Sequence, residues 1–230
     1  MSQLPKINTP SYTLTLPSGP TIAYRPFVVK ERAVLQLSLE EGEPETIQRA
    51  VATLINACTF GKCDMMQMPM VDVEWLFMHI RAKSVGEDLS IVHSCSCGNK
   101  TELKLSTNDA KIVGSNALDM VKITDDLYLK FHLPKSAEIE EFALDGDEHK
   151  IRGVAMLTDL ILHGEQVYEC KDLPLAEVEE FIGNFTEQQF EAINSFLENI
   201  PKIELTHEYV CKKCEAQNKV VLEGIYDFFG

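Results

Sequence analysis

The chain has 230 residues, 45% of them apolar and 25% charged, with 21 Lys and Arg against 36 Asp and Glu for a net charge of −15. That length supports a core without disulfides, and the acidic balance argues against nucleic acid, whose phosphates call for clustered Lys and Arg. Seven cysteines is an odd count for a disulfide framework, and no apolar run approaches the roughly 20 residues a membrane-spanning helix needs.

The opening "MSQLPKINTPSYTLTLPSG" has no apolar stretch behind a basic start, so no secretory signal is expected, and cysteine usage points to reducing cytoplasm. Tyr12, Leu14 and Leu16 alternate before Pro17-Ser18-Gly19-Pro20, and Ile22 and Tyr24 alternate after it, which predicts a β-hairpin. Helical periodicity runs from Val28 to Glu41 and stops at Gly42. Pro44 suits the first turn of the next helix, where Ile47, Val51, Leu54, Ile55 and Cys58 form one apolar stripe. Cys58 therefore reads as a packing residue. "GKCDMMQMPM" reads as a loop, and Asp72 to Lys83 as a helix apolar on nearly all sides, expected at the centre of a core.

Leu89, Ile91, His93 and Cys95 alternate on a strand, and Leu103 and Leu105 on the next, so Cys95 and Cys97 sit at a hairpin tip. "LDMVKITDDLYLKFHLP" predicts two strands around Asp125-Asp126. "SAEIEEFALD" and "KIRGVAMLTDLILHG" predict helices, and "QVYEC" a short strand. A helix follows Pro174, and another is N-capped by Thr186 and ended by Pro201. The last segment is a second Cys-tipped hairpin: Ile203, Leu205, His207, Tyr209 and Cys211 alternate, Cys214 closes the turn, and Val220 and Leu222 continue. The terminal Tyr226, Phe228 and Phe229 are either an interface anchor or ordinary core.

Two paired-cysteine hairpins are the one internal echo. A structural zinc takes four tetrahedral ligands, thiolates prominent among them, and each hairpin supplies two. Cys95, Cys97, Cys211 and Cys214 are thus the candidate ligands of a split zinc ribbon. Gly98 offers the positive φ that a knuckle turn needs. The first pair is C-x-C rather than C-x-x-C, Glu215 stands where the second knuckle's glycine would fall, and His93 is the substitute ligand on the same strand face. Two other readings stay open. One is a Cys211–Cys214 redox pair, although "CKKC" runs into a strand rather than opening a helix. The other is four unrelated thiols. Nothing matches H-E-x-x-H, a phosphate-binding glycine loop or a nucleophile elbow, and "LDGDEHK" lacks calcium-loop spacing.

The expected fold is α+β: an N-terminal hairpin and helical region over 1–88, split ribbon hairpins over 89–106 and 203–230, and a mixed, mostly helical insertion over 107–202. The stretches "LPKINTPSYTLTLPSGPTIAYRPFVVKERAVLQL", "VEWLFMHIRAKSVGE", the two Cys-tipped hairpins and "LEGIYDFFG" together resemble the baseplate hub protein family of T-even-type contractile-tailed bacteriophages. The resemblance covers essentially the whole chain. It implies a non-enzymatic hub subunit or hub assembly factor whose partners are other tail and baseplate proteins, located in the virion tail or in host cytoplasm during assembly. The family's C-x-x-C-G knuckle is matched by Cys95, Cys97 and Gly98 with one residue missing, and its C-x-x-C by Cys211 and Cys214. From the residues alone, a zinc-ribbon adaptor acting on host proteins or nucleic acid is the competing function.

Overall fold

A computed structural model describes residues 8–115, 120–139 and 146–228, with backbone alone at Tyr226. The fold is mixed α+β. The chain divides into two compact units, one built from the segments before Val113 and after Lys202, the other from Val113–Lys202.

The first unit opens with antiparallel β1 (Tyr12–Thr15) and β2 (Thr21–Tyr24). Helix α1 (Val29–Glu41) ends at Gly42, whose φ of 74° closes the helix in the left-handed conformation that glycine adopts without strain. Helix α2 (Pro44–Cys58) carries Pro44 in its first turn and buries the predicted stripe, Cys58 included. Within the predicted loop, Met65–Gln67 forms a 3₁₀ turn capped by Asp64, whose side chain accepts the Met66 N–H at 3.1 Å. Helix α3 (Met70–Val85) starts just after Pro69 and has Leu76, Phe77 and Ile80 fully buried. Burying side chains of this size stabilises the fold by about 1.5–3 kcal/mol each.

Apolar periodicity concealed one feature of α3: Asp72, Glu74 and Arg81 are buried in it. Buried charge is tolerated only where it is hydrogen-bonded. Asp72 accepts the Ser18 N–H at 2.9 Å and the Ser18 hydroxyl, pinning the β1–β2 turn. Glu74 accepts the Ile203 N–H at 3.2 Å, and Arg81 donates to the Gly86 and Asp88 carbonyls at 3.0 and 3.3 Å. The polar groups thus position the entries of two later segments. Hairpin β3 (Asp88–Ser94) and β4 (Lys100–Ser106) follows, then the short β5 (Lys111–Val113).

In the second unit, β6 (Met120–Lys122) and β7 (Leu127–Phe131) flank the Asp125-Asp126 turn as predicted. Helix α4 (Asp147–Leu157) then stops, and Thr158–His163 is strand β8. "KIRGVAMLTDLILHG" is therefore not one helix. Thr158 ends it, its hydroxyl donating to the Val154 carbonyl at 2.8 Å, and the next residues pair with β7 on one side and with β9 (Gln166–Glu169) on the other. Ladder pairing overrides the propensity of a Leu-rich run that suits either state. Strands β6 to β9 form a four-stranded antiparallel meander. Helices α5 (Leu175–Gly183) and α6 (Glu187–Glu198) complete a core around Leu129, Leu157, Ile182 and Ile193. Thr186 caps α6 in a reciprocal capping box with Gln189. The helix expected over "SAEIEEFALD" falls largely on 140–145, outside the described residues.

The chain returns to the first unit as β10 (Lys202–Val210), β11 (Gln217–Glu223) and the one-turn α7 (Gly224–Asp227). β10 lies between β11 and β5. Ile225 and Phe228 are buried, so this part of the aromatic tail is core; the Tyr226 side chain and Phe229 lie outside the described residues.

Candidate metal centre

The two predicted hairpins form with the alternation read from the sequence. β3 pairs with β4 from Asp88–Ser106 to Ser94–Lys100, and β10 with β11 from Glu204–Glu223 to Val210–Gln217. Each register ends one residue before the first cysteine of its pair, which leaves the cysteines at the tips. The tips meet. The Sγ atoms of Cys95, Cys97, Cys211 and Cys214 all lie within 4.8 Å of one another. Cys95 Sγ is 3.6 Å from Cys214 Sγ, and Cys97 Sγ is 3.8 Å from Cys211 Sγ. A disulfide would need about 2.05 Å. A tetrahedron with metal–sulfur bonds of about 2.3 Å has edges of about 3.8 Å. The four thiols are close enough to hold one metal ion.

The missing residue of the first knuckle is absorbed by the turn. In the second tip, the Glu215 N–H donates to the Cys211 carbonyl, and Cys211 N–H to the Ala216 carbonyl, both at 2.9 Å. In the first, Gly98 N–H donates to the Cys95 carbonyl at 2.8 Å and Cys95 N–H to the Asn99 carbonyl at 2.9 Å. The first loop is thus one residue tighter and still delivers both sulfurs. Each turn requires a left-handed residue at the equivalent place. Gly98 has φ 77°, and Glu215, which lacks glycine's freedom, is held at φ 58°.

Backbone amides face the sulfurs. The Cys97 N–H bonds to Cys95 and holds that thiol down to about 6. The N–H groups of Lys213 and Cys214 lower Cys211 likewise. Cys214 accepts the Ala216 N–H, but the thiols of Cys97 and Cys95 beside it push it up to about 12. Crowded thiolates repel one another, and a divalent cation among them removes that repulsion. Asn99 Nδ2 adds a contact to Cys211 Sγ at 3.6 Å. Amide donors, sulfur spacing and an all-thiol donor set fit a structural zinc, with no coordination position left for water or substrate.

His93 is not part of the four-sulfur group. Its Nδ1 is 2.7 Å from the Tyr209 hydroxyl, with the rings edge-on at 5.6 Å, so it joins the hairpins by a direct polar contact. His93 stands two residues before Cys95, and Tyr209 two residues before Cys211. The internal echo therefore extended beyond the cysteines, and that was the signal by which this pair could have been found. The remaining three cysteines are not members of the four-sulfur group. Cys58, Cys63 and Cys170 are buried; burial pushes Cys58 up to about 12 and Cys170 up to about 11, which makes Cys58 and Cys170 inert packing groups. The Cys211–Cys214 loop leads into β11 and not into a helix, so it lacks the helix N-terminus that activates a redox pair. Among the described residues no helix is long and apolar enough to cross a membrane.

A family model described as T4 bacteriophage base plate protein matches residues 9–230. No curated protein and no solved structure matches the chain.

Proposed function

The chain belongs to the T4 bacteriophage base plate protein family, and from that premise we propose a non-enzymatic structural or assembly role at the hub of a contractile tail's baseplate, with zinc held by Cys95, Cys97, Cys211 and Cys214. The observation that carries the reading is the convergence of four sulfurs from two hairpins more than a hundred residues apart in sequence. Such a site supplies no reaction. It clamps a late segment of the chain onto an earlier hairpin and keeps the surfaces of the first unit in one arrangement for a partner to bind. Thiolates keep metal in reducing host cytoplasm, the setting of assembly, where a disulfide in the same place would be reduced. The partners proposed are other tail and baseplate hub proteins, engaged through protein–protein contacts. The net charge of −15 gives the competing adaptor reading no support on the nucleic-acid side.

The test joins metal content to assembly. Protein purified without added metal is expected to carry one zinc per chain and to capture tail proteins from infected cells, and Cys97→Ser to lose most of both. Metal-free wild type that captures tail proteins normally would refute the zinc, while zinc-loaded protein that repeatedly captures none would refute the baseplate role.

A further inference from the structure

Helix α1 is apolar on both sides. One side faces the core through the buried Leu35, but Val29, Ala33 and Leu37, spaced i, i+4 and i+8, line the other, with Val34 beside them. Val29 is 86% exposed, Val34 57% and Leu37 58%. Single exposed apolar residues are ordinary, whereas a stripe along one face of a helix is the mark of an interaction surface.

The charges at its ends indicate what covers it. The first turn holds Lys30 and also Glu31, whose carboxylate is already ion-paired with Arg25 at 2.7 Å, while the last turn holds Glu40 and Glu41 and no basic residue. A cation near a helix's own N-terminus and anions near its C-terminus oppose the helix dipole. An antiparallel copy of the same helix reverses that relation. It brings Lys30 to the partner's acidic C-terminal end and Glu40 and Glu41 to the partner's N-terminal end. Turned about a two-fold axis at the level of residue 35, Lys30 lies level with Glu40 of the second copy and Ala33 with Leu37, small against large, while Val29 comes level with Glu41 at the rim of the contact. Such an interface is self-complementary in the way two-fold symmetry demands.

We propose that α1 is a homodimerisation face, pairing antiparallel with α1 of a second copy. A standard interface buries about 800 Å² a side. A stripe this short buries less, so the dimer is expected to be weak, dissociating in the micromolar range.

Sedimentation velocity of the zinc-loaded full chain, from micromolar to submillimolar concentration, tests this. The wild type is expected to shift from monomer to dimer. Leu37→Lys, at an exposed position that leaves the fold and its melting curve unchanged, is expected to stay monomeric. Lys30→Glu alone is expected to weaken self-association by roughly tenfold, as like charges brought together do. Mixing it with a Glu40→Lys, Glu41→Lys variant is expected to restore pairing between the two. A wild type monomeric throughout, a dimer indifferent to Leu37→Lys, or charge variants that fail to rescue each other would each overturn the proposal. So would a chain that buries α1 only against a different tail protein. Metal content and tail-protein capture are separate readouts, so failure here leaves the baseplate reading untouched.

Discussion

Replacing Cys211 by serine separates a metal ligand from a packing cysteine. Cys211 is fully buried, accepts two backbone N–H groups and sits 3.8 Å from Cys97 Sγ. The two close sulfur pairs join residues 119 and 114 positions apart. In the chain-entropy picture, a permanent cross-link over such a loop is worth about 5 kcal/mol, which sets the scale available to a metal clamp. What a bound ion delivers depends on its free concentration. Stability rises by about 2.7 kcal/mol at a hundredfold excess over the dissociation constant, and by about 1.4 kcal/mol for each further tenfold. Chemical denaturation in zinc-buffered, reducing solution reads this slope. The wild type is expected to show it and to lose it in excess chelator. Cys211→Ser is expected to start from the chelated stability and to respond little to zinc. Cys58→Ser is the control: Cys58 is equally buried but is not one of the clustered thiols, so placing a hydroxyl in the apolar stripe of α2 beside the Arg25 guanidinium should cost about 1–3 kcal/mol and leave the zinc slope intact. A wild-type denaturation midpoint indifferent to zinc and chelator would refute the reasoning. So would a Cys211→Ser variant with the wild-type slope.

Two further outcomes are expected. Glu215 occupies the left-handed region at φ 58°, which costs a non-glycine residue about 1 kcal/mol, so Glu215→Gly should stabilise the zinc-loaded protein by about 0.5 kcal/mol net of glycine's greater freedom when unfolded; an unchanged or lower denaturation midpoint would contradict this. In the second unit, His132 donates from one ring nitrogen toward Glu138 at 3.2 Å and from the other toward Asp159 at 2.8 Å. The hydrogen bond to Glu138, then that to Asp159, raise its pKa above the ordinary 6.5 against the opposing effect of burial. A raised pKa means that protonation favours the folded state. The contribution is therefore complete below pH 6.5 and is lost as the pH climbs through the folded value. His132→Gln should flatten stability against pH in that upper window, and a variant that keeps the wild-type profile there would show the contact to be inert.

The match between reading and structure is uneven for physical reasons. Strand alternation, the glycine at the end of α1, Pro44 and the Thr186 cap are local signals, and each element they mark is present. Leu-rich "VAMLTDLILHG" carries no decisive local signal, and its division into α4 and β8 depends on the strands on either side of Thr158–His163. Nothing local marks Asp72 and Glu74 as buried, because their partners Ser18 and Ile203 are 54 and 129 positions away.

The same boundary runs through the metal centre. The choice of four cysteines, their place at hairpin tips and the glycine after the first pair are written in the order of the residues, since a period-two pattern and a turn are properties of short segments. That the tips converge, that a five-residue loop presents its sulfurs as well as a six-residue one, that Glu215 accepts a glycine's conformation and that His93 turns to Tyr209 instead of joining the sulfurs are matters of distance. Distances between segments a hundred residues apart are set by how the intervening chain packs, and no spacing along the chain encodes them.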